Sequence, residues 1–180
     1  MSWTTFHRRG EVLAAVVEAA NTRRDGLLPD DVPGVPETFR DELDLLGALQ
    51  LRWHTRLSGR VERELSGQPL DLDDAVVRAW VATAGALPGV REVLDRALAV
   101  GVDPEADRLL ATAVAKERMM LAAMAGRSSY DDDRAVAVGA DVEERARAAW
   151  ARVAGSAAAR DAGADARPGL LDRLRAALAA

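Results

Sequence analysis

A chain of 180 residues with 49% hydrophobic side chains is long enough to bury one sizeable core, and that apolar content argues against disorder over its whole length. Aromatic residues make up only 4% and alanine is abundant, so the core is expected to consist of Leu, Val and Ala on closely packed helices, since strands would draw on more Ile, Tyr, Phe and Thr. The absence of cysteine excludes disulfides, zinc thiolates, iron–sulfur clusters and thiol catalysis, and a net charge of −5 argues against a surface given over wholly to nucleic acid.

Thr4 or Thr5 is placed to cap a first helix that carries Phe6, Leu13, Val16, Val17 and Ala20 at helical spacing and ends before Asn21 and Gly26. The charges within MSWTTFHRRGEVLAAVVEAA interrupt what a signal peptide or membrane span would need, so a cytoplasmic protein without membrane contact is expected. LLPDDVPGVPE (27–37) reads as a loop, with Pro36 opening a long second helix that reaches Ser66 and stops at Gly67. Asp71 or Asp73 caps a third helix to Gly85. Pro88 opens a fourth that ends near Gly101, and Asp103 with Pro104 and Glu105 starts a fifth that continues to Gly126.

Beyond it, RSSYDDDR (127–134) reads as a polar loop, and Asp141-Val142-Glu143-Glu144 as the first turn of a helix through Trp150 and Val153. Residues 155–169 have the composition of a flexible linker, and LLDRLRAALAA (170–180) forms an amphipathic helix with Leu170, Leu171, Leu174 and Leu178 on one side. The expected architecture is all-α: an irregular bundle of five to six helices over residues 1–154, with the C-terminal helix tethered by the linker.

Helical phase on the long helix separates two features. Gln50 and His54 fall within the apolar face formed by Leu43, Leu46, Trp53, Leu57, Val61 and Leu65. Arg52, Arg56, Arg60 and Arg63 form a row about a quarter turn away, mixed at its upper end with Leu45 and Leu49. A buried amide or imidazole without a partner costs about 1–3 kcal/mol. Glu117, set between Val114 and Leu121 on the apolar face of the fifth helix, is the expected partner, with Thr83 as a further member.

Such an interior cluster is read either as a polar network fixing helix register or as a small-molecule or metal site. Catalytic and metal motifs are missing: only His7 and His54 are present, neither follows a glutamate by three residues, and there is no Gly-x-Ser-x-Gly, Ser-x-x-Lys or His-Glu-x-x-His. No cofactor is therefore expected. His7, Glu11 and Glu18 read as an ordinary surface stripe.

Like charges in the arginine row disfavour an isolated helix by about 0.2–0.5 kcal/mol per pair. Glu64 offers Arg60 a local counter-charge. Asp71, Asp73, Asp74 and Asp131–Asp133 are further internal candidates, and an acidic partner protein is the external one. Nucleic acid is disfavoured, because Asp103, Glu105 and Asp107 would face phosphate at the start of the fifth helix. The leading expectation is a non-enzymatic protein-binding or regulatory protein that works through the arginine row, the leucines of the C-terminal helix or both, with self-association a further outcome. The alternative is a bundle binding a small molecule or a metal, with or without catalysis, at Gln50, His54 and Glu117, and the third is a weak nucleic-acid binder through the arginine row.

Overall fold

A computed structural model describes residues 3–129 and 133–165 of the chain. Its helices are α1 (Trp3–Arg23), α2 (Val35–Thr38), α3 (Glu42–Ser66), α4 (Leu72–Ala86), α5 (Pro88–Val100), α6 (Pro104–Met124) and α7 (Ala135–Asp165), and no strand occurs among the described residues. The fold is an all-α bundle.

Three aspartates start helices by accepting otherwise unpaired backbone N–H groups. Asp41 accepts from Asp44 at 2.7 Å, Asp71 from Asp74 at 2.9 Å, and Asp103 from Glu105 and Ala106 at 2.8 and 3.0 Å. α5 has only Leu87 at its cap position, and the missing acceptor comes from α1: the Gly89 amide donates to Asn21 Oδ1 at 2.9 Å.

Pro36 does not open the long helix. α2 ends after one turn because Phe39 turns extended, which buries its ring beneath the Arg9 guanidinium, 4.3 Å from the ring centre. Asp41 then restarts the chain as the cap of α3. α7 likewise starts six residues ahead of Asp141. Ala135, Gly139, Val142 and Ala146 form one buried face, and the small residues among them let α7 approach α6 closely. A Cβ at Gly139 would fall well inside contact distance of the Arg118 carbonyl, and one at Gly89 inside that of Ala20.

The stretch read as linker is helical as far as Asp165. Its alanine content explains this, since alanine has the highest helix propensity and outweighs the scattered glycines. Residues 166–180, including Leu170, Leu171, Leu174 and Leu178, lie outside the described residues.

The core is centred where α3 meets α4. Trp53 and Trp80 are both fully buried and meet edge to face, ring centres 5.5 Å apart at 73°. Leu45 and Leu49 are also fully buried, so the core face of α3 takes in the upper end of the flank and the arginine row begins only at Arg52.

Candidate functional site

α3 and α6 lie side by side and run in the same sense. Val102, just ahead of α6, lines a small hollow with Glu42 and Leu46 near the start of α3, while Glu117 reaches Trp53 farther along. This register sets the geometry of everything between them.

Glu117 is buried, as its position on an apolar helix face required, but its partner is the residue beside the expected pair. Trp53 Nε1 donates to both of its carboxylate oxygens, each at 3.0 Å. Burial pushes the Glu117 carboxyl above the usual range, the charge of Arg91 and the indole hydrogen bond offsetting this only in part. Arg91, itself buried, holds its guanidinium 4.8 Å from the Trp53 ring centre and pairs with Asp95 at 2.9 Å. Thr83 bonds within its own helix, to the Ala79 carbonyl at 2.8 Å.

From Asp95 the charges continue across three helices. Arg147 of α7 meets Asp95 in a two-pronged contact at 2.8 and 2.9 Å and also reaches Glu143, and Glu143 accepts from Arg118 of α6 at 2.9 Å. Burial raises the Asp95 and Glu143 carboxyls, but the surrounding arginines outweigh it and both lie below the usual carboxylate range. Helical phase alone does not find this network, although Arg91–Asp95 and Glu143–Arg147 stand at the four-residue spacing that signals a pair.

Gln50 and His54 line a neighbouring feature, although the charge of His54 also acts on Glu117 and favours its ionised form. Both line an apolar cleft between α3 and α6, about 320 Å³ in volume, walled by Leu43, Leu46, Leu51, Leu109, Leu110 and Ala113, with Gly47 and Lys116 completing the lining. Glu117 does not line it. Gln50 is buried, and its Oε1 is enclosed without a hydrogen-bond partner. Lys116 is exposed and has no ion pair among the described residues. A second hollow of about 630 Å³ shares Leu43, Gly47, Leu51 and Leu109 with the first and extends toward Arg9, Arg40 and Arg52.

No protein family, curated protein or solved structure matches the chain. The chemistry must therefore be read from the residues themselves. The cleft offers an imidazole, an ammonium and a primary amide, and its lining holds no carboxylate, hydroxyl or thiol. It can donate hydrogen bonds to a polar group and enclose an apolar body. Among the described residues no group of three or more His, Asp or Glu side chains is placed to hold a metal ion, and no helix is long and apolar enough to cross a membrane.

The arginine row is solvent-facing. Arg52, Arg56 and Arg63 are exposed, Arg60 is half-buried, and none of the four has an ion pair among the described residues. The nearby acids are engaged elsewhere: Glu64 with Arg78, Asp44 with Arg9 and Arg40, Asp73 with Arg145, and Asp74 with Arg78. Asp71 caps α4.

Proposed function

We propose that this bundle binds a small, mainly apolar molecule in the cleft between α3 and α6. The observation that carries the reading is an otherwise apolar cleft whose lining includes Gln50, a buried residue with its amide oxygen enclosed and without a hydrogen-bond partner. An unsatisfied buried amide costs about 1–3 kcal/mol, and a group of this kind asks for a reason to persist. The cleft volume falls at the lower end of the roughly 300–1,000 Å³ typical of small-molecule sites.

The test is a thermal-shift screen against a metabolite panel, repeated on Gly47→Leu. Gly47 lines the cleft and a Cβ there meets no atom within 4 Å, so a leucine can be introduced from open space, with a melting curve to verify that the variant folds. Ligands of the cleft raise the melting temperature of the wild type and not of the variant. Hits that survive Gly47→Leu would sink the reading.

A second reading, contact with an acidic protein surface through Arg52, Arg56, Arg60 and Arg63, is supported by the lack of counter-charges for that row among the described residues. It predicts that reversing Arg52, Arg56 and Arg60 to glutamate removes acidic proteins from those that co-purify with the chain in its native cell. Nucleic acid remains the disfavoured occupant of the row, given the net charge of −5, and would declare itself by a steep loss of affinity with salt.

A further inference from the structure

We infer that the ligand of the α3–α6 cleft is a single-chain amphiphile with one carboxylate head, its chain lying along Leu43, Leu46 and Leu109 and its head meeting Lys116 and His54; this rests on the ligand-binding reading above. The parallel register of the two helices gives the cleft two unlike ends. Leu43, Leu46, Leu109 and Leu110 stand at the upstream end of the cleft, and His54 and Lys116, in the middle of their helices, at its downstream end. Leu43 and His54 are separated by about 16 Å along α3 at ~1.5 Å per residue, a span suited to a medium-length acyl chain.

The charges at the two ends differ in availability. Upstream, where the second hollow adjoins the cleft, Arg9 and Arg40 are engaged by Asp44 and Glu105 adds a further negative charge, while Arg52, the other arginine of that hollow, lies two residues from His54 along α3. At the downstream end no acid lines the cleft, and the Lys116 ammonium is uncommitted among the described residues. A carboxylate there accepts from Lys116, from the His54 ring and from the Gln50 amide nitrogen one turn away. The apolar walls select the chain. Leu51 and Leu109, which are 65% and 54% exposed at the rim, are covered when it binds.

Decanoate, applied below its micellar concentration, and decanol, applied below its solubility limit, separate the head from the chain when binding is followed by calorimetry. The wild type is expected to bind decanoate more tightly than decanol. Lys116→Gln should weaken decanoate about tenfold, the size of one charge-assisted hydrogen bond, while leaving decanol unchanged. Lys116 is exposed, and a melting curve verifies that the variant folds. Equal binding of the two probes, or an equal loss of both in Lys116→Gln, overturns the carboxylate assignment while leaving the cleft reading intact. No binding of either probe overturns the amphiphile inference alone, and binding undiminished in Gly47→Leu overturns it together with the cleft as the ligand site.

Discussion

Trp53 and Glu117 share a single indole hydrogen across a carboxylate, at 3.0 Å to each oxygen, in the middle of the core. The pair ties α3 to α6 at the point where both helices also contribute to the cleft, so its integrity fixes the register on which the two ends of that cleft depend. Glu117→Leu leaves the indole N–H buried without an acceptor and should cost about 1–3 kcal/mol in urea unfolding. Glu117→Gln keeps an acceptor for Trp53 and removes the charge. The folded state raises the Glu117 pKa, so its stabilising contribution is intact below the unfolded carboxylate value and is lost as pH rises through the elevated one. The glutamine variant should therefore lose less stability than the wild type over that rise. Parallel profiles would contradict the assignment.

Glu143 has the opposite sign. Its pKa is lowered in the fold, as is that of Asp95, so their contributions are present above the unfolded carboxylate value and fade as pH falls through the folded one. Glu143→Gln, which leaves Arg118 without its carboxylate, should destabilise at neutral pH by about 1–3 kcal/mol. It should also flatten the acid limb of the stability profile. Retention of the full acid limb in the variant would show that other carboxylates control it.

Much of the fold is legible in the sequence because helix starts and stops are local chemistry. Asp71 and Asp103, Pro88 and Gly101 act where their side chains and backbones act in any helix. The misread boundaries have non-local causes. Phe39 leaves the helix to bury its ring under Arg9, a residue distant in sequence that also donates to the Thr38 carbonyl, and α7 starts early because Ala135 and Gly139 fit against α6. The candidate site divides in the same way. Phase on one helix places Gln50 and Glu117 inside, but partner choice depends on register between helices, and that register gives Glu117 to Trp53 and leaves Gln50 to the cleft.

Three glycines separate packing from opening. Gly89→Ala and Gly139→Ala force a methyl group against the backbone of a crossing helix and should each destabilise by about 1–3 kcal/mol or more, because neither neighbour is a movable side chain. Gly47→Ala meets open space in mid-helix and should stabilise by about 0.5–1 kcal/mol. Denaturant midpoints at unchanged slope would check all three, and a destabilising Gly47→Ala would mean that the cleft is closed over in solution.

The arginine row makes a prediction that separates internal pairing from an open face. Arg56 has Arg52 and Arg60 one turn to either side and no ion pair among the described residues. Arg56→Glu turns two repulsions into two attractions, with the new glutamate N-terminal to Arg60 in the favourable order. At about 0.2–0.5 kcal/mol for each change, the variant should be more stable than the wild type by about 1 kcal/mol at low ionic strength. The gain should shrink as salt shortens the screening length below about 10 Å. A variant less stable than the wild type would mean that Arg56 already has a carboxylate partner within the chain, which would remove the support for an acidic partner at this face. A gain would mean that the folded chain holds uncompensated charge there at a cost to its own stability, a cost that an acidic surface docked on the row would relieve.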